Sequence, residues 1–192
     1  MPPKAKFTER EVIDKAFDIV RKEGAEALTA RSLAEALHSS PRPIFTVFRG
    51  MEEVWQGVMR RAKDCYNAYI AKAFKEVYPF RSVGRQYILF AMEEKNLFRL
   101  LFMQERGAVK NITSILTEID ENYEDILASV RKEYGLDEED ARRFYRHLWT
   151  YSHGIATMTV TELCRFTGEE IAKMSADVAK SLIVYLRSGK ND

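Results

Sequence analysis

Three histidines, two cysteines and 29 acidic residues are the side chains of this 192-residue sequence that could serve as bases, nucleophiles or metal ligands. Their spacing assembles no such site. His38 sits in a polar turn, and His147 and His153 are six residues apart, which puts them on different faces of a helix. Cys65 and Cys164 lie 99 residues apart with no CxxC or neighbouring His pattern, in apolar surroundings that suit core thiols better than a disulfide or a metal. Glu93-Glu94 and the run Asp137 to Asp140 read as helix-terminal or solvated acids rather than an acid/base pair. HExxH, GxSxG and phosphate-loop glycine patterns are absent. The expectation is a non-enzymatic chain without catalytic residues, metal or cofactor.

Binding chemistry is better represented. Tyr66, Tyr69, Tyr87, Phe90, Met103, Trp149 and His153 fall on helical segments that should converge, and the Tyr, Trp and His side chains carry polar tips into an apolar setting. Such a lining suits a small, mostly hydrophobic or aromatic ligand with one or two hydrogen-bonding groups, and equally a plain packed core. Gly154 is expected to mark a close approach of helices.

A second binding surface is written in Thr29 to Phe48, TARSLAEALHSSPRPIFTVF, which reads as two short helices joined by a polar turn, a helix-turn-helix. Thr29 can cap the first helix, whose Leu33, Ala34 and Leu37 share one face. Ser40 can cap the second, with Pro41 and Pro43 in its first turn, where the missing N–H groups have no intrahelical partner in any case. Arg42, preceding a proline, is pushed away from the α region, so that helix is expected to start a residue or two late. Ile44 and Phe48 then point inward, leaving Arg42, Phe45, Thr46 and Arg49 outside, where a DNA major groove would meet them.

The elements that must position these residues are all helical. The chain is 46% apolar and 31% charged, with five prolines, nine glycines and no dense period-2 alternation. Thr8 to Glu11 is a capping box, Phe7 can staple against Val12, and Gly24 stops a first helix whose Val12, Ile13, Ala16, Phe17 and Val20 form one stripe. A three-helix N-terminal domain, residues 1–50, is expected, with a larger helical domain over 51–192. The latter should contain helices at 51–77, ended by Pro79, and at 82–94, 97–105, 112–134, 138–166 and 169–187, with breaks at Gly107, Gly135 and Gly168, about nine helices in all. The last two helices are apolar over a wide arc. Ile155, Thr159 and Leu163 on one, with Met174, Val178, Leu182 and Tyr185 on the other, would suit a four-helix bundle formed with a second copy of the chain.

The net charge of +1 excludes a broad polyanion-binding field. Residues 1–50 carry nine Lys/Arg against seven Asp/Glu, so nucleic-acid binding would rest on a few well-placed cations, with Lys4 and Lys6 within reach of a backbone. No stretch approaches 18 uncharged apolar residues, and the start MPPKAKFTEREV lacks the apolar core of a signal peptide, so a cytoplasmic protein with no membrane partner is expected.

These features together resemble the TetR family of transcriptional regulators. The N-terminal likeness covers residues 8–55: a helix ending in Gly24, then Leu28-Thr29-Ala30-Arg31-Ser32-Leu33-Ala34, then Ser40, Ile44-Phe45 and Phe48. The second half is similar to a subgroup named for a Trp-His-Gly signature, through Gln86 to Ala91, Asn96 to Phe102, Leu148-Trp149 and His153-Gly154. The family usually has Tyr, often His and often Lys where this chain has Phe45, Val47 and Met51. The resemblance implies a ligand-responsive homodimeric repressor on a palindromic double-stranded DNA operator. It assigns Thr29 to a phosphate through its helix N-terminus, and Arg31, Arg42, Pro43 and Thr46 to base edges or the groove. The alternative is a helical small-molecule or protein-binding module of the same fold without operator binding.

Overall fold

The computed structural model describes residues 6–105, 111–119 and 121–188, and among them the only regular elements are helices. Lys4 and Gly107 lie outside the described residues. The chain separates into two compact units, Met1–Tyr66 with Glu94–Gln104, and Asn67–Glu93 with Glu105–Asp192.

In the first unit, helix α1 (Glu9–Glu23) starts at the expected capping box. The Glu11 N–H donates to Thr8 Oγ1 at 3.2 Å and the Thr8 N–H donates to Glu11 Oε2 at 2.8 Å, which satisfies two helix-start donors reciprocally. That backbone hydrogen bond holds the Glu11 carboxyl below its ordinary pKa. Gly24 ends α1 with φ at 96°, where a Cβ would be strained. One 3-10 turn, Ala25–Ala27, leads to α2 (Ala30–Ala36), capped by Thr29 Oγ1 accepting from the Ser32 N–H at 3.1 Å. His38, at φ 50°, closes α2, and the Ser39 N–H returns to the Ala34 carbonyl at 2.9 Å.

The second helix of the helix-turn-helix is not an α-helix. Its place is taken by a single 3-10 turn, Ile44–Thr46, with Pro43 rather than Ser40 at the N-cap position and no side-chain cap. The reason is local. Pro41 and Pro43 contribute no N–H, and the Ile44 and Val47 N–H groups donate three residues back, to the Pro41 and Ile44 carbonyls, at 3.0 and 3.2 Å. The Pro43 carbonyl, which an α-helix would offer to the Val47 N–H, instead accepts from the Thr46 N–H at 3.3 Å and from Thr46 Oγ1 at 2.7 Å.

Helix α3 (Met51–Ala73) follows, and its early residues fill the floor of the first unit, where Val12, Val20, Leu33, Ile44, Val54 and Val58 are fully buried. Gly57 gives α1 room to approach, since a Cβ there would stand 2.2 Å from Ile13 Cδ1. Helix α5 (Lys95–Phe102) completes this unit against α1. Buried Glu94 accepts two hydrogen bonds from the half-exposed Arg21 guanidinium, the Nε contact being 2.7 Å. Asn96 Nδ2 donates to the Arg21 carbonyl at 3.1 Å, covering one of the carbonyls that the end of α1 leaves open.

The second unit is built on α4 (Pro79–Glu93) and α8 (Glu138–Val160), with α7 (Tyr123–Tyr134) and α9 (Gly168–Ser188) packed on α8 and α6 (Ile112–Ile119) touching it. Pro79 begins α4 rather than simply ending α3, which stops at Ala73, because Pro is tolerated where no intrahelical donor is needed. The Phe80 N–H at this start donates to Glu133 of α7. Burial raises the Glu133 pKa, opposed by that hydrogen bond and by Arg81. The expected helix over 112–134 divides into α6 and α7 at a short polar stretch, with Asn122 at the N-cap position of α7. Gly135, at φ 64°, stops α7, and Asp137 Oδ1 caps α8 by accepting from the Asp140 N–H at 2.9 Å. Helix α8 ends at Val160, before the expected Phe166, where Glu162 turns to φ 60° and the Leu163 N–H bonds back to the Met158 carbonyl. Thr167 and Glu170 then form a second capping box for α9. The core holds an aromatic cluster of Phe80, Tyr134, Phe144 and Tyr145, and an aliphatic one of Ile88, Ile155 and Ile171 flanked by Tyr151 and Phe166.

Candidate functional site

The nucleic-acid face expected from the sequence is exposed in the first unit. Thr29, Arg31, Ser40, Arg42, Phe45, Thr46 and Arg49 all lie at the surface and Pro43 is half-buried, while Ile44 and Phe48 are buried beneath them. Several of these polar groups already have local partners. Arg31 pairs with Glu35 at 3.0 Å and Arg49 with Glu53 at 3.7 Å, both one helical turn apart and both in solvent. Thr46 spends its hydroxyl on the Pro43 carbonyl. Arg42 makes no ion pair or hydrogen bond among the described residues, so its guanidinium fork is available. Lys6 reaches the turn after α2 and donates to Ser39 Oγ at 3.1 Å.

The expected ligand residues divide between the two units. Tyr66 and Met103 belong to the first, where Tyr66 packs edge-on to Phe102 at 5.1 Å and Met103 is exposed at the end of α5. The other five belong to the second and form two groups. Tyr69 sits edge-on to Phe90 at 5.3 Å, donates to Glu93 Oε2 at 2.6 Å and has Lys72 Nζ 4.4 Å over its ring. Tyr87, on the same helix as Phe90, joins Trp149 and His153 of α8. The Tyr87 hydroxyl lies 2.8 Å from His153 Nδ1, and the Trp149 and His153 rings stack with centroids 4.9 Å apart and planes 7° from parallel. Burial lowers the His153 pKa, favouring the neutral ring.

What the sequence did not disclose is that polar atoms are buried here without partners. Trp149 Nε1, Thr157 Oγ1 and Gln86 Oε1 are all enclosed and unpaired. Trp149, His153 and Thr157 recur every four residues along one face of α8. Gln86, directly before the apolar run Tyr87 to Ala91, is the one visible sign. Nothing in the sequence distinguished Thr157 from the other threonines of α8.

Gly154 corrects an expectation, because a Cβ placed on it would have nothing within 4 Å. It is not a point of close packing among the described residues. The residues expected at a subunit interface are also unevenly placed. Ile155 is 1% exposed inside the core of its own unit, and Thr159 is half-buried with its hydroxyl on the Ile155 carbonyl at 2.9 Å. Leu163 is 73% exposed. On α9, Met174, Val178 and Leu182 are half-buried and Tyr185 is exposed, and a shallow open groove runs along Asp177, Val178, Ser181, Leu182 and Tyr185.

Among the described residues no group of three or more His, Cys, Asp or Glu side chains is placed to hold a metal ion, and no helix is long and apolar enough to cross a membrane. Cys65 is half-buried and Cys164 exposed, and neither forms a disulfide among the described residues.

Comparison with known proteins gives these features a family. Residues 80–180, more than half of the chain, match the model of the tetracycline-repressor-like C-terminal domain. A solved structure described as a TetR-family transcriptional regulator from Rhodococcus sp. shares the fold, with a TM-score of 0.61 over 91% of this chain and 98% of that one, at 14% identity. No curated protein matches the sequence. The match takes in α4 from Phe80 onward and the Trp149–His153 face, and the chain belongs to the TetR family of transcription regulators.

Proposed function

We propose that this protein is a ligand-responsive, sequence-specific DNA-binding repressor acting in the cytoplasm. It binds a palindromic operator as a homodimer and is released by a small, mostly hydrophobic effector. The observation that carries the reading is the exposed segment Thr29–Arg49, whose buried Ile44 and Phe48 turn Arg42, Phe45 and Thr46 outward, in a chain of this family. Arg42 would take a guanine edge through its fork, with Pro43 and the Thr46 methyl against thymine methyls. Thr29 would present the start of α2 to a phosphate, with Ser40 and Arg49 along the backbone and Arg31 at a base edge or in the groove.

Two such segments in one dimer would enter successive major grooves about 34 to 36 Å apart. The exposed apolar side chains of α9, together with Leu163, support dimerisation on that side of the second unit. The effector would occupy the α4–α8 face around Tyr87, Trp149 and His153. It would lower operator affinity by preferring a conformer with another spacing of the two DNA-binding segments, and by no more than its own difference in affinity for the two states. The group is a binder rather than an enzyme.

Selection of DNA from a random library by the purified protein tests this, with the double variant Arg42→Ala, Thr46→Ala alongside. An enriched palindrome that vanishes in the variant is the expected outcome, and no enrichment at low salt defeats the reading. One observation favours a second reading, a helical ligand- or protein-binding module without an operator. The segment after Ser40 is a 3-10 turn carrying Phe45 and Val47, which offer a phosphate no hydrogen bond. Salt dependence separates the two, because only an operator complex weakens steeply as counterion release is suppressed.

A further inference from the structure

The four threonines along α8 and its C-cap are not equivalent. Thr150, Thr159 and Thr161 each donate to the carbonyl four residues back, those of Arg146, Ile155 and Thr157, at 2.9, 2.9 and 2.8 Å. This is the ordinary way for a helix to satisfy a hydroxyl. Thr157 Oγ1 is buried and makes no such bond. Two turns earlier on the same face, Trp149 Nε1 is buried without an acceptor, although an indole N–H can only donate. Between them stands His153, tied through Nδ1 to the Tyr87 hydroxyl.

We propose that the effector of this face is an uncharged, flat, oxygen-bearing molecule whose carbonyl or ether oxygens accept hydrogen bonds from Trp149 Nε1 and Thr157 Oγ1. The inference deepens the ligand-binding reading above and rests on it. Three properties of the site set the class. The unpaired indole N–H requires an acceptor. The surroundings carry no formal charge on Trp149, Thr157, Tyr87 or Gln86, and burial keeps His153 toward the neutral form, so an ionised carboxylate would be enclosed without a counter-charge. The Trp149 and His153 rings, 7° from parallel, present aligned planes that favour a flat partner over a flexible chain. From residue 149 to 157 the helix rises about 12 Å, so the two donors call for acceptors at separate points of one molecule. Gln86 Oε1, buried and unpaired on α4, adds one acceptor, which a hydroxyl on such a molecule would meet.

Isothermal titration of the full-length protein with three probes tests the class: flavone, uncharged with a ketone and a ring ether; 2-phenylnaphthalene, flat with no acceptor; and 2-naphthoate, flat and anionic. Flavone is expected to bind, with 2-naphthoate the weakest of the three. Trp149→Phe and Thr157→Val are each expected to weaken flavone about tenfold while leaving 2-phenylnaphthalene within about twofold, which also shows that the variants remain folded. Equal losses for flavone and the hydrocarbon, no loss in either variant, tightest binding of 2-naphthoate, or no binding of any probe would overturn the proposal. Operator release is measured separately. Flavone bound through Trp149 without any change in operator affinity counts against the regulatory reading and leaves the ligand chemistry standing.

Discussion

In the segment Thr29–Arg49 most polar side chains find a partner within four residues: Thr29 with Ser32, Arg31 with Glu35, Thr46 with the Pro43 carbonyl, Arg49 with Glu53. On the α4–α8 face of the second unit, Trp149, Thr157 and Gln86 bury polar atoms without any. The difference inverts the usual expectation, since exposed groups have water and can do without partners, whereas enclosed ones cannot. A surface that completes its own hydrogen bonds holds its side chains in place before anything docks, and is rigid at little cost. A buried face that leaves donors open is less stable than it needs to be, and its shortfall is recovered only by whatever supplies the missing acceptors. On the proposed reading, the first region would meet a rigid, charged partner and the second a small enclosed one.

The contrast can be broken by substitution, beginning with the largest expected effect. Ile155→Ala should lower stability by about 2 to 5 kcal/mol, because Ile155 belongs to the Ile88–Ile171 cluster. Leu163→Ala should change stability by about 0.5 kcal/mol or less in a protomer. Urea unfolding monitored by circular dichroism distinguishes them, and equal losses would mean that the exposed turn after α8 is covered by a second copy. Next, Arg42→Ala with Thr46→Ala should cost about 1 to 3 kcal/mol in operator binding while leaving the unfolding midpoint unchanged, since both side chains are exposed. A midpoint shift as large as the binding loss would show that the segment is not self-supporting. Smaller still, Thr157→Val should raise stability by about 0.5 to 1 kcal/mol by removing an unsatisfied hydroxyl, whereas Thr159→Val, which deletes a made hydrogen bond, should not.

The last and smallest effect concerns pH. Burial lowers the folded-state pKa of His153, so the unfolded chain binds the extra proton first as the solution is acidified. Stability therefore falls as pH drops below the ordinary histidine range, and the contribution is fully present above it. Thermal melts between pH 7.5 and 5.5 should show a smaller drop in His153→Asn than in the parent, and an identical drop in both would remove His153 from the account.

The legibility of this chain followed the range of the interactions involved. Caps and stops are decided within a few residues, so Thr8 with Glu11, Gly24, Thr29, Gly135 and Asp137 were readable and occur where expected. The second helix of the helix-turn-helix is replaced for an equally local reason, the i→i−3 bonds that Ile44, Thr46 and Val47 make after Pro41 and Pro43. The break between α6 and α7 was likewise hidden inside a pattern that continues the same periodicity across it. Which way a helix faces depends on its neighbours and is harder. Ile155, assigned by periodicity to an outer seam, is interior because Ile88 and Ile171 meet it there. The aromatic cluster of Tyr87, Trp149 and His153 was named from residue type and family likeness, but the unpaired atoms beside it depend on what fails to lie nearby, which no spacing rule records.

Helix α9 holds one more implication. Over its 21 residues only Ile171 and Leu186 are buried against their own chain, with Val184 and Tyr185 left open. A helix so lightly anchored contributes little to the melting temperature of a lone protomer. In the proposed dimer its thermal resistance would be a property of the solution as much as of the sequence, and the Tm would climb as the protein concentration is raised.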